Sequence, residues 1–391
     1  MKYETVIGLE VHVELATKSK IFCSCGTEFG AGQNNNVCPA CRGMPGMLPI
    51  MNKNVGELGI RAGLLTNCRI NRYTTFDKKS YYYPDLPSSY QTTQWFAPIC
   101  VDGGVEIETS EGKKVIGIKQ IHMEEDAGKL VHDDWTDTSL VDYNRTSVPL
   151  IEIVSRPDLS SVEEVVAYLD KLKTLLRFAK VSDCKMEEGS MRADANVSIR
   201  KNESDPYGTK AEIKNIGSIS NVGISIEKEI ERQSKLYDAG EIFQAQTRRY
   251  DDKIGDTVLM RVKETGNDYR YFPEPDIPFL YVTDEMIEEV RKTIPMLPDE
   301  RKEAYISNGV SEINATKLIQ NRSLSDYFNE LLNENTNLKI ASNLLLGDIS
   351  AYLNKEEKTI EVMNIDDLPT KVRANIGGTE VEIIPAFTDW S

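Results

Sequence analysis

From Thr5 to Leu15 apolar and polar side chains alternate, so that Ile7, Leu9, Val11, Val13 and Leu15 share one face of a predicted strand and Glu10, His12 and Glu14 share the other. The same period of two recurs in Asp194–Arg200, where Asp194, Asn196, Ser198 and Arg200 oppose Ala195, Val197 and Ile199. It recurs again in Lys210–Lys214, where Lys210, Glu212 and Lys214 share a face. A β-like run over Val115–Ile121 leads into His122-Met-Glu124-Glu125-Asp126, and Pro149–Val154 is an apolar strand broken by one carboxylate, Glu152. A helical period appears over Val162–Ala179, after a Pro157-Asp158 turn and a Ser161/Glu164 capping box, with Val162, Val165, Val166, Leu169, Leu172 and Leu176 on one stripe. A second helix is predicted over Val222–Ala239, with Ile224, Ile226, Ile230 and Leu236, ending before Gly240. Beyond about Asp284, around Pro295 and Pro298, short amphipathic helices take over, carrying Ile319, Leu324, Phe328, Leu331, Leu338, Leu345 and Leu353. Val372–Ile384 returns to β-branched residues around Gly377-Gly378.

Connections of uneven length, with no strand–helix–strand rhythm, predict an α+β fold on an antiparallel or mixed sheet, followed by a small all-α domain. The expected boundaries are 1–292 for the sheet domain, 293–360 for the helical domain and 361–391 for a separate C-terminal segment. A length of 391 residues suits two or three domains, and 40% hydrophobic with 28% charged residues is an ordinary globular composition. No run of about 18 apolar residues occurs, and the first strand begins almost at the N-terminus, so neither a membrane span nor a signal peptide is expected and a cytoplasmic location follows. The net charge of −16 repels polyanions at long range, and a nucleic-acid partner would need local basic patches such as Lys171, Lys173, Arg177 and Lys180, or Arg248-Arg249.

Four of the seven cysteines form Cys23-x-Cys25, twelve intervening residues, and Cys38-x-x-Cys41, a spacing suited to a structural zinc knuckle over about 21–43. Four thiolates would close the coordination sphere, leaving no place for a substrate. Cys68, Cys100 and Cys184 are left over, as befits a reducing compartment. An imidazole between carboxylates on the first strand is either a wet face or a donor set for a divalent ion. Glu152 must be desolvated in its apolar strand unless it meets a metal ion or an arginine such as Arg145 or Arg156. No HExxH helix, GxxxxGK[ST] loop or strand-coupled GxGxxG is present, so ATP would have to be held by metal ions, lysines and arginines. The proline-stiffened Tyr81-Tyr-Tyr-Pro-Asp-Leu-Pro87, after Asp77-Lys-Lys79, suits either a pocket wall or a packing cap.

Six segments together carry a family resemblance: Ile7–Glu14, Phe76–Pro87, His122–Lys129, Pro149–Val154, Glu188–Ser198 and Asp268–Asp276. Over about residues 3–355 the chain resembles the B subunit of the tRNA-dependent amidotransferase, the GatB family. The resemblance implies a sheet domain like those of glutamine synthetase and the guanido kinases. It implies a subunit that works with a glutaminase A subunit and a C subunit, phosphorylates the side-chain carboxylate of Glu-tRNA(Gln) or Asp-tRNA(Asn) with ATP, and forms the amide with channelled ammonia. Carried onto this chain, it makes His12, Glu125 and Glu152 the expected Mg²⁺ ligands, with Glu10 and Glu124 as alternates. Glu14 is left as a solvent-facing or structural residue. Lys79 and Tyr82 are expected near the channel mouth or phosphate, with Arg192 and Asp194 in the same pocket. Zn²⁺ would sit on Cys23, Cys25, Cys38 and Cys41. Segment 361–391 stands where the family usually has a tRNA-binding tail and does not resemble it. The competing reading is a non-catalytic, zinc-stabilised tRNA- or protein-binding scaffold, or a shortened paralogue.

Overall fold

The computed structural model describes residues 2–133, 136, 138–262, 269–333, 337–355, 360, 372–376 and 379–383. The chain divides into two compact units, Met1–Ile294 and Pro295–Ser391.

The first unit begins with β1 (Glu4–Glu14), α1 (Lys53–Leu65), β2 (Arg69–Ile70), β3 (Tyr73–Thr74), β4 (Asp77–Ser80), β5 (Tyr90–Thr93), β6 (Cys100–Thr109) and β7 (Gly112–Glu125). A hairpin of β8 (Lys129–Asp133) and β9 (Thr138–Asp142) leads to β10 (Pro149–Ser155), α2 (Val162–Phe178), β11 (Met191–Arg200), β12 (Ala211–Lys214) and α3 (Ile219–Asp238). The unit closes with β13 (Gln246–Asp251), β14 (Asp256–Val262), β15 (Phe272–Pro273), β16 (Leu280–Tyr281) and α4 (Asp284–Lys292). Among the described residues twelve strands form one sheet, whose main path runs β14-β13-β12-β11-β1-β10-β7-β5-β4-β15. The β12–β13 pair is parallel, whereas the central β11–β1–β10–β7 ladders are antiparallel.

Alternation decides which side of this sheet is dry. Ile7, Leu9, Val11 and Val13 of β1, Ile151 and Ile153 of β10, Ile121 and Met123 of β7, and Ala195 and Val197 of β11 are all buried. They face one way, under α1, α2 and α3, and the opposite face is left for polar groups. Ser161 caps α2 by accepting from the Glu164 N–H at 3.2 Å. The Glu164 carboxylate reaches the Ser160 N–H and Lys114 instead of the Ser161 N–H, so the reciprocal half of the expected capping box is displaced by one residue. The third helix starts at Ile219, earlier than its apolar stripe, because the Ser218 hydroxyl accepts from the Asn221 N–H.

Helix α1 has no counterpart among the predicted elements. Its Gly56, Gly59 and Gly63 each cost about 1 kcal/mol of helix propensity relative to alanine, but they let the helix lie close to the sheet. A Cβ on Gly63 would come within 2.4 Å of Cys100 Sγ and 2.6 Å of Ile70 Cδ1.

The second unit contains α5 (Pro298–Ser307), α6 (Glu312–Gln320), α7 (Arg322–Glu330), α8 (Leu338–Leu344) and α9 (Ser350–Lys355). They enclose a core that includes Tyr305, Leu318, Phe328, Leu345 and Leu353. Buried Arg301 donates to Ser325 Oγ and pairs with Asp326 at 2.7 Å. The β-branched C-terminal run forms an antiparallel pair, β17 (Val372–Ile376) with β18 (Thr379–Ile383). The Gly377-Gly378 turn lies outside the described residues, as does most of 361–391.

Candidate active site

Register across the open face assembles the site. His12 on β1 stands opposite Glu152 on β10 and Arg192 on β11, and Glu152 stands opposite His122 on β7. Partners opposed across a ladder point to the same side, so Arg192, His12, Glu152 and His122 form a row across four strands. Glu124, two residues beyond His122, joins it from the next row.

His12 Nε2 lies 3.5 Å from both Glu124 Oε1 and Glu152 Oε2. His122 Nε2 lies 3.0 Å from Glu152 Oε2 and 3.6 Å from Glu124 Oε2. Glu124 is fixed from its other side by the Thr93 hydroxyl. Burial opposes a charge on both imidazoles, but the Glu152 carboxylate beside them, with the hydrogen bonds to Glu152 and Glu124, outweighs it. His12 is raised, and His122 is raised to about 10. Burial would likewise push Glu152 up, and the two imidazoles instead hold it well below the usual carboxylate range.

The donor set fits a divalent cation. One donor atom from each of His12, Glu124 and Glu152 lies within 4.8 Å of the others. Adjacent ligands of an octahedral ion with bonds of about 2.1 Å stand about 3 Å apart, so small side-chain shifts close this triad on a Mg²⁺-sized ion. Within the cluster the nearest polar partners of Glu152 are the two imidazoles, His122 at 3.0 Å and His12 at 3.5 Å. Glu152 therefore meets histidines instead of an arginine: Arg145 donates to the Ala127 and Gly128 carbonyls, and Arg156 pairs with Asp102.

Around this cluster lies an open cleft of about 650 Å³, walled by Lys79, Tyr81 and Gln91 on one side and by Arg192 and Asp194 on the other. Arg192 is held by Asp126 at 3.0 Å. Burial would lower the guanidinium, but Asp126 and Glu14 hold it above its ordinary value.

Three expected placements are corrected. Glu125 does not share the metal cluster: it follows Glu124 on a strand, so its side chain emerges on the opposite face, where it accepts from the Thr92 N–H and Ser147 hydroxyl and borders a second cavity with Cys23, Cys41 and Glu274. Burial pushes its carboxyl up against those two hydrogen bonds. Tyr82 is 80% exposed and does not line the cleft, whereas its neighbour Tyr81 does. Glu10 belongs to a separate group with Asp194 and Glu212, whose cation is Lys214, 2.5 Å from Asp194 Oδ2 and 3.1 Å from Glu212 Oε1. Glu14, expected to face solvent or to be structural, is half-buried, and burial with the Asp126 charge raises its carboxyl to about 7 against the opposing charges of Arg192 and Arg145. Arg248 is also no open basic patch, since it donates to Thr257 and pairs with Glu229.

The four-cysteine group is brought together as the spacing predicts, with its sulfurs within 4.8 Å of one another. Lys20 is fully buried beside it, with its ammonium 3.6 Å from Cys41 Sγ. The Cys23 hydrogen bond, the Cys38 N–H and the Lys20 charge together lower the Cys41 thiol to about 4 against the opposing effect of burial. Four clustered cysteine sulfurs beside a buried counter-cation fit zinc, whose complex with four thiolates carries net negative charge.

An open sheet face bearing buried acids, imidazoles and cations, its back covered by helices, defines a catalytic domain organised around charge. The chain belongs to the GatB/GatE catalytic domain family, whose model matches residues 5–288. It is 51% identical to the B subunit of the aspartyl/glutamyl-tRNA(Asn/Gln) amidotransferase of Caldicellulosiruptor bescii, over 95% of this chain and 77% of that protein. It is 50% identical to the corresponding B subunit of Caldanaerobacter subterraneus, over 93% and 77%, and 48% identical to a B subunit of Clostridium acetobutylicum, over 97% and 82%. Among the described residues no helix is long and apolar enough to cross a membrane.

Proposed function

We propose that this chain is the subunit of a tRNA-dependent amidotransferase that activates the side-chain carboxylate of Glu-tRNA(Gln), Asp-tRNA(Asn) or both with ATP, and then forms the amide with ammonia delivered from a glutaminase A subunit, with a C subunit completing the complex. The observation that carries this reading is the His122–Glu152–His12–Arg192 row with Glu124 beside it. Burying such a cluster costs free energy; catalysis gives that cost a use that a scaffold would not, which disfavours the scaffold reading. We read the sheet as one of the glutamine-synthetase and guanido-kinase kind.

The substrate carboxylate is ionised near neutral pH, so its attack on the terminal phosphorus of ATP requires no general base. The requirement is to bring two anions together. Lys79 and Arg192, on opposite walls, neutralise and align them. His12, Glu124 and Glu152 would hold Mg²⁺, which when bound supplies positive charge beside the phosphate oxygens. One carboxylate oxygen becomes the bridge of an acyl phosphate, and ADP leaves. Ammonia then attacks the acyl carbon, phosphate departs with that bridging oxygen, and the attacking nitrogen gives up a proton to a nearby carboxylate. The cavity bordered by Glu125, Thr92 and Ser147 lies on the other side of β7 from Glu124 and suits the ammonia path.

The test is to co-assemble the chain with A and C subunits and to assay conversion of each misacylated tRNA. Conversion is expected only when ATP and Mg²⁺ are supplied together. Amide formation at an equal rate without ATP would contradict the proposal.

A further inference from the structure

We propose that the aromatic wall next to Lys79 is a stacking platform for an adenine ring, with Trp95 as its outer plate; this deepens the amidotransferase reading and rests on it. Trp95 and Tyr271 lie parallel, with ring centroids 4.4 Å apart and planes 8° from coplanar. One face of the indole is thus covered, while Trp95 remains 51% exposed. Tyr271 in turn meets Tyr269 edge-on at 6.0 Å, and Tyr269 meets Tyr81 at 5.9 Å. Lys79 Nζ stands 4.9 Å from the Tyr269 ring centre and 5.4 Å from that of Tyr81, so the cation on the cleft wall is seated on the same array.

The plate is held in place from beneath. Asp77 is fully buried, and its Oδ2 accepts from the backbone N–H groups of Trp95, at 2.8 Å, and Phe96, at 3.0 Å. The Ser80 N–H donates to the Tyr269 carbonyl, which ties the tyrosine segment to β4. Two backbone N–H groups donating to one buried carboxylate oxygen fix the turn that carries a half-exposed tryptophan, an arrangement that a mere surface cap does not require. Tyr81, which meets Tyr269, lines the same cleft as Glu124 and Glu152, and this sets the array at the edge of the acidic cluster.

A flat aromatic face beside a cation and a metal-type donor set matches a ligand with a flat heterocycle at one end and phosphate or acyl groups at the other. An adenine base stacks on such a face without needing sequence-specific hydrogen bonds. Both substrates of the proposed reaction bring one, as the base of ATP and as the 3′-terminal adenosine of tRNA.

The two sources separate in a binding experiment on the assembled complex. Radiolabelled ATP, and a short RNA stem ending in CCA-3′ compared with the same stem lacking its last adenosine, are titrated against wild type, Trp95→Ala and Trp95→Phe. Stacking predicts that Trp95→Ala weakens one of the two by about 5- to 150-fold, and that Trp95→Phe restores most of the loss. A loss confined to ATP assigns the plate to the nucleotide. A loss confined to the adenosine-ended RNA assigns it to the tRNA end. Affinities for both within twofold of wild type in Trp95→Ala, or an equal loss in Trp95→Phe, overturn the proposal. Amidation by the wild-type complex is measured in the same preparation: a complex that amidates while Trp95→Ala binds both ligands normally refutes the platform alone, whereas one that does not amidate refutes the function.

Discussion

Glu152→Ala is expected to lower ATP-dependent amidation by about 10²–10³-fold, the range seen when one preorganised electrostatic group is removed from an active site. Glu152 contacts both imidazoles, 3.0 Å from His122 and 3.5 Å from His12, so its loss removes an anionic donor and leaves Glu124 as the carboxylate the two rings share. The fold should survive, because histidines deprived of a counter-charge can become neutral, unlike an arginine left in the same place. Glu152→Gln keeps the shape and removes the charge, and should lose activity almost as far. Both variants should fail equally with glutamine or with added ammonium as nitrogen source. Glu125→Ala, on the other face of β7, should chiefly lose the glutamine-dependent reaction and keep more of the reaction with ammonium. Steady-state assays with both nitrogen sources check this. A Glu152→Ala complex within about threefold of wild type would exclude Glu152 from the chemistry.

Removal of zinc should have the largest effect on structure. The segment carrying the four cysteines buries Ile21, Phe22 and Cys41, yet exposes Phe29, Met44, Met47, Leu48 and Ile50. It has little apolar core of its own. Structural zinc contributes about 10–16 kcal/mol in isolated zinc-finger peptides at pH 7, ample to order such a segment. Elemental analysis should find one zinc per chain in the wild type and none in Cys41→Ser. The variant, or the chelated protein, should be cut rapidly by protease between about residues 23 and 50. Because Cys23 and Cys41 also wall the cavity that Glu125 borders, glutamine-dependent amidation should fall as well. Undiminished protease resistance with no bound metal would show that the loop orders itself by other means.

The site was legible where alternation alone settles the side-chain direction. Glu10, His12 and Glu14 read correctly as one face of β1, and Glu152 announced itself by standing in an apolar strand. What stayed hidden depended on register between distant strands. Glu124 and Glu125 are adjacent, and alternation puts only one of them on the metal face; the pairing of Glu152 with His122 selects Glu124. Counting in twos from His122 was the available signal for both His122 and Glu124. The charges that act on Glu14, those of Asp126, Arg192 and Arg145, lie far along the chain, so its own strand gives no sign of them. Helix α1 was hidden for a different reason: its three glycines speak against a helix locally, and only the closeness of Cys100 and Ile70 explains them.

Activation of the tRNA-borne carboxylate by phosphorylation underlies every step proposed above, and isotope transfer reads it directly. Misacylated tRNA carrying ¹⁸O in both side-chain carboxylate oxygens is converted by the assembled complex, and the released phosphate is analysed by mass spectrometry. Phosphorylation predicts one ¹⁸O in phosphate for each amide formed, with the second retained in the amide. Amide formation with unlabelled phosphate would contradict it.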